Sequence, residues 1–161
     1  MNTPWVDEAR KQIGVREIKG QKTSVKIANW LLSLRAWWKD DETPWCGVFV
    51  AHCIKTAGLA IPKNWFRAKE WLNWGQVITQ PTYGAVVVFD RVGGGHVGFV
   101  VGKDKNGNIL VLGGNQGDAV NIKAFAVNRV AGYRWPKEVP LPVKQQLTVL
   151  AHSAELSTNE A

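Results

Sequence analysis

The chain has 161 residues, a formal net charge of +7, 45% hydrophobic residues and 20% charged ones. That length and apolar content predict one packed domain and exclude wholesale disorder, while the basic balance favours anionic partners. Two cysteines exclude a disulfide framework, and no apolar run approaches the ~18 residues that a membrane span needs.

The opening Met1-Asn2-Thr3-Pro4-Trp5 has neither the basic nor the apolar region of a secretory signal, so a cytoplasmic product is expected. Pro4 suits a first helical turn. Trp5, Ala9 and Ile13 recur at spacing four before Gly14, which predicts a first helix. Val25-Lys26-Ile27-Ala28-Asn29-Trp30-Leu31-Leu32 predicts a second. After the charged run Lys39-Asp40-Asp41-Glu42, Thr43 is an N-cap, Pro44 fits N1 and Gly58 is a stop, which gives a helix over 44–57. The Trp-rich stretch 65–74 reads as helical for part of its length. From residue 84 the period becomes that of strands: 85–90, 96–102, 109–113 and 119–125 are short runs punctuated by Gly or Asn-Gly. Asn106-Gly107 is the strongest hairpin signal, and 132–135 adds a last strand. Helices followed by an antiparallel meander predict an α+β domain over 1–136. Pro140 and Pro142 interrupt the pattern beyond, and 137–161 reads as a tail or a short helix over 145–156.

Gly93-Gly94-Gly95-His96-Val97-Gly98 satisfies the letter of a dinucleotide fingerprint. That chemistry needs a helix opening at the last Gly to hold a pyrophosphate, and Phe99-Val100-Val101-Gly102 is β-like instead. No nucleotide site is predicted.

Cys46 falls near N3 of the capped helix, where the partial positive charge of the helix start favours a thiolate. Cys53 lies seven residues on, roughly 10.5 Å of helical rise away, too far for a disulfide. Cys53 reads as a small buried apolar residue. A nucleophilic thiol needs a base, and the base needs an orienting partner. His52 is mid-helix and faces away from Cys46, His152 is in the tail, and His96 opens a strand after three glycines. A hairpin turning at Asn106-Gly107 places a residue between about 114 and 117 opposite His96. Asn115 and Gln116 fall there, and either carboxamide can accept from one ring nitrogen and leave the other as the base. Asn is also a turn residue in its own right. Of the nine Trp, Trp5, Trp30, Trp71 and Trp135 are expected in the core. Trp45 and the pair Trp37-Trp38 are candidates for groove walls.

Pro44-Trp45-Cys46-Gly47-Val48-Phe49-Val50 resembles the nucleophile helix of the papain-like cell-wall hydrolases of the CHAP (cysteine, histidine-dependent amidohydrolase/peptidase) and NlpC types. Gly95-His96-Val97-Gly98-Phe99-Val100-Val101-Gly102 resembles their His strand, Leu112-Gly113-Gly114-Asn115-Gln116 the third-residue strand, and Gly132-Tyr133-Arg134-Trp135-Pro136 the closing one. Pro4-Trp5, Ala9-Arg10, Gly14-Val15 and Glu17 resemble the start of a phage-associated branch. The resemblance implies a papain-like fold, with Cys46 as nucleophile, His96 as base and Asn115 as orienter. Many CHAP enzymes carry Glu two residues before the Asn, where this chain has Gly113. Some bind calcium through several Asp near the nucleophile. Asp40, Asp41 and Glu42 supply too few of the six to eight oxygens that Ca²⁺ takes, so neither a metal nor another cofactor is expected.

The implied reaction is hydrolysis of an amide in peptidoglycan through an acyl-enzyme, the Cys46 N–H supplying an oxyanion donor. Trp45, Asp41, Glu42 and Gln116 are expected to contact substrate. The reading is a monomeric phage or prophage endolysin with peptidoglycan and an anionic envelope as partners, made in a bacterial cytoplasm and released to the wall by a holin. An interbacterial amidase effector would share the chemistry. A non-enzymatic module binding nucleic acid is disfavoured, because the basic residues are scattered along the chain.

Overall fold

Residues 3–18, 24–37, 44–91, 93–142 and 147–150 are described in the computed structural model. Helix α1 (Pro4–Lys11) has proline in its first turn and Arg10 and Lys11 in its last, where cations meet the carbonyl end of the helix dipole. It ends before Ile13, which is 46% exposed, so the spacing of four extends only from Trp5 to Ala9. Helix α2 (Val25–Ser33) is capped by Ser24, whose hydroxyl accepts from the Ile27 N–H at 3.5 Å.

Helix α3 (Cys46–Thr56) begins two residues later than the sequence suggested. Trp45 is its non-helical N-cap, and Cys46 occupies N1 instead of N3. Trp45 holds that position because its ring is buried and its indole N–H donates to Glu17 at 3.0 Å. Thr43 lies outside the described residues. The other end matches expectation. Gly58 adopts φ 81°, its N–H reaches the Lys55 carbonyl and the Leu59 N–H reaches that of Ile54, the paired bonds of a Schellman stop. α3 is apolar on nearly every side, as a helix surrounded by other elements must be. It packs on α1, α2 and the sheet. Trp30 of α2 stacks on His52 at 5.2 Å, and His52 binds Glu8 of α1 at 2.7 Å. Burial raises the Glu8 pKa, but hydrogen bonds from His52 and Gln12, with the His52 and Lys11 charges, outweigh it and hold the carboxyl below its ordinary value.

Six strands follow: β1 (Gln76–Ile78), β2 (Val86–Arg91), β3 (Gly94–Lys103), β4 (Ile109–Gly113), β5 (Asn121–Phe125) and β6 (Val130–Trp135). All pairings between them are antiparallel, in the order β1-β6-β2-β3-β4-β5. β2 to β5 form the expected meander, whereas β6 returns across it to lie between β1 and β2. β1 was not foreseen, and the helical part of the Trp-rich stretch is a 3-10 helix, Ala68–Asn73. β5 starts at Asn121, because Ala119 instead bridges to Arg16. The β3–β4 turn is closed by Asp104, whose carboxylate accepts from the Asn106 and Asn108 N–H groups, with Gly107 at φ 84°. Residues 147–150 are not helical. Val149 forms a parallel bridge with Lys103, and the Leu150 N–H donates to the Lys103 carbonyl. Trp5, Trp30, Trp71 and Trp135 are all in the core. Among the described residues, no helix is long and apolar enough to cross a membrane. The α+β, papain-like arrangement is therefore present: helices first, the cysteine at the start of the buried one, and an antiparallel sheet behind it.

Candidate active site

Cys46 opens α3, so its sulfur lies among helix-start N–H groups that have no partner within the helix. The side chain is 4% exposed. Burial pushes the thiol pKa above its ordinary value, opposed by hydrogen bonds from the backbone N–H groups of Val97, Gly47 and Cys46 itself and by the Arg91 charge. Burial thus opposes the thiolate that the helix start favours. The bond from Val97 also places the sulfur against β3, one residue beyond His96. Cys53 is fully buried and its thiol is pushed well up by the same burial; both cysteines are free.

His96 is fully buried. Its ring stacks on Phe125 at 5.5 Å and on Phe89 at 6.1 Å, and those two rings stack on each other at 4.4 Å. Phe89 is directly opposite His96 in the β2–β3 register. The Arg129 guanidinium covers Phe89 and Phe125, 5.8 and 5.3 Å from their centroids.

The ring nitrogen Nε2 meets the Gln116 carboxamide oxygen at 3.0 Å. The amide cannot be turned round. Its nitrogen faces three acceptors: the Asn121 carbonyl at 2.9 Å, the Asn121 side-chain oxygen at 3.0 Å and the Val111 carbonyl at 3.2 Å. Asn121 is fixed in turn by donating to the Gln116 carbonyl at 2.8 Å. With Oε1 the only atom of the amide left to face the imidazole, Nε2 is the protonated, donating nitrogen and Nδ1 the basic one. Gln116, assigned from sequence to substrate contact, is therefore the residue that meets His96. Asn115, one residue earlier, is buried in the turn at φ 59°.

Gly113 makes this possible. A Cβ there would fall on Gln116 Oε1 and 3.4 Å from His96 Nε2. Gly114 lies against the Trp45 ring and Phe49, again with no room for a Cβ. Trp45 is 1% exposed and belongs to this packing, so it does not line a groove. Asp40, Asp41, Glu42 and Trp38 lie outside the described residues, while Trp37 is exposed. Among the described residues, no three His, Cys, Asp or Glu side chains converge as metal ligands would.

A thiol on a helix start beside a strand-borne histidine is the geometry of a papain-like site, and the CHAP domain family matches residues 38–115. Over those residues the chain is similar to a CHAP domain. CHAP domains are typically cysteine- and histidine-dependent amidases or peptidases, of a family that hydrolyses peptidoglycan. No curated protein matches the chain. The CHAP match contains Cys46, His96 and Asn115 and stops one residue short of Gln116. Sequence spacing also missed Asn121, Arg91 and the Phe89–Phe125–Arg129 platform. Only Phe89 had a usable signal, since a tight β2–β3 hairpin sets it opposite His96.

Proposed function

We propose that this CHAP-like domain hydrolyses an amide bond of bacterial peptidoglycan, with Cys46 as nucleophile, His96 as general base and acid, and Gln116 as the group that orients the imidazole. The observation that carries this reading is the Nε2–Gln116 bond, because it commits Nδ1 to accept the thiol proton. In the proposed cycle, Cys46 passes its proton to His96 as the sulfur attacks the scissile carbonyl. The developing oxyanion is met by helix-start N–H groups. His96 then protonates the leaving amine, and water, deprotonated by His96, resolves the thioester. The raised thiol pKa suits a proton transferred during attack.

The proposed biological role is that of a phage or prophage endolysin, a basic and monomeric enzyme made in a bacterial cytoplasm and released to an anionic wall. Asp41 and Glu42 are retained as proposed substrate contacts. Cys46→Ser should keep the fold and reduce release of peptidoglycan fragments to near background, while Cys53→Ser should lose stability and keep most activity. Mass spectrometry of the fragments then names the bond. Wild-type lysis by Cys46→Ser would end the thiol mechanism.

A further inference from the structure

The five residues 65–69 pass from Gly47, the residue after Cys46, to Gly95, the residue before His96. At the nucleophile end they press on Gly47, where an added Cβ would lie 2.6 Å from the Trp65 carbonyl oxygen and 2.9 Å from the Phe66 backbone. At the base end they press on Gly95, the residue before His96, where a Cβ would lie 2.9 Å from Lys69 Cγ. The strip is held in place beforehand: the Trp71 indole donates to the Trp65 carbonyl at 3.0 Å, the Arg67 N–H to Asn64 at 3.0 Å, and Lys69 binds Asp90 at 3.0 Å.

Its outward chemistry is aromatic and cationic. Phe66 is half-buried, with the Trp65 ring edge-on at 5.6 Å. Arg67 is exposed, its guanidinium 5.5 Å from the Phe66 centroid. Between 63 and 70, Lys63, Arg67 and Lys69 stand against one carboxylate, Glu70. A guanidinium stacked on a ring keeps its planar fork oriented, which is the geometry for bidentate capture of a carboxylate.

We propose that residues 65–69 form one wall of the substrate groove and that Arg67, stacked on Phe66, binds a carboxylate of the peptidoglycan stem peptide beside the scissile amide. This rests on the hydrolase reading above. Charge complementarity selects the peptide over the glycan, because the stem carries the anionic groups nearest the amides a thiol can cleave.

The test is steady-state kinetics on soluble peptidoglycan fragments with free or amidated stem carboxylates, for wild type, Arg67→Gln and Arg67→Lys. Arg67→Gln should raise KM about tenfold on free-carboxylate fragments, the size expected of one lost charge-assisted contact, with kcat within about twofold. The defect should shrink on amidated fragments, and Arg67→Lys should recover part of the loss. An unchanged KM, or an equal rise on both substrates, overturns the proposal. Sedimentation of Cys46→Ser with insoluble peptidoglycan reads the same contact without catalysis: adding Arg67→Gln should weaken retention, and unchanged retention counts against the wall. Absence of fragment release by wild type would instead defeat the hydrolase reading.

Discussion

The His96 imidazole is fixed at an edge by Gln116 and across its face by Phe125 and Phe89. Gln116→Ala removes the edge contact, together with the amide's bonds to Asn121 and Val111, and leaves the ring stacking in place. It should lower kcat by roughly 10²-fold with little change in KM, because the lost help is realised in the transition state. Asn115→Gly is the matched control, since glycine adopts the φ of 59° without strain and deletes only the side chain. It should retain far more activity, and the reverse order would return the orienting role to Asn115. The cysteines carry a second consequence at this scale. Both thiols have folded pKa values raised by burial above the ordinary 9.0, Cys53 more strongly. The unfolded chain therefore releases these protons first as pH rises. The stability they contribute is whole below the ordinary value and falls as pH climbs beyond it. Thermal melts between pH 8 and 10.5 should show a declining Tm. The decline should be shallower in Cys53→Ala despite its lower starting point, and parallel slopes would refute the linkage.

At the scale of elements, the contact between α3 and residues 65–66 decides how closely the strip approaches the start of α3. Gly47→Ala should help α3 by up to about 1 kcal/mol through helix propensity. Yet its Cβ must displace the Trp65 and Phe66 backbone, a clash costing about 1–3 kcal/mol in packed surroundings. Urea unfolding should show a net loss accompanied by a raised KM, and a stabilised variant with wild-type kinetics would mean that the strip yields freely. Elements were legible where local chemistry fixes both ends. β4 lies where the strand period and the Asn106-Gly107 turn put it, and α3 stops at Gly58. The start of α3 was hidden because what holds Trp45 out of the helix is Glu17, distant in sequence. β1 was hidden because three residues carry no period. Cys46 and His96 were legible from residue type, a helix start and a glycine run. The third residue was not. The β3–β4 pairing slips between Val100 and Gly102, the strand ends at Gly113, and the left-handed turn at Asn115 cancels the alternation by which Asn115 was preferred.

For the whole molecule, the helices-then-sheet order was plain in the sequence, but the strand order was not. No local signal tells β6 to cross back between β1 and β2, since that choice is made by long-range packing, with Trp135 seated edge-on to Trp5 at 5.4 Å. The same feature sets a schedule. During synthesis the helix bearing Cys46 and the strand bearing His96 emerge well before β6, and until residues 130–135 leave the ribosome both β1 and β2 present raw edges. A nascent chain thus carries Cys46 and His96 while the sheet that holds His96 is still open. The sheet behind Cys46 reaches its six-stranded form only when the last of its strands in the sequence takes its place between β1 and β2.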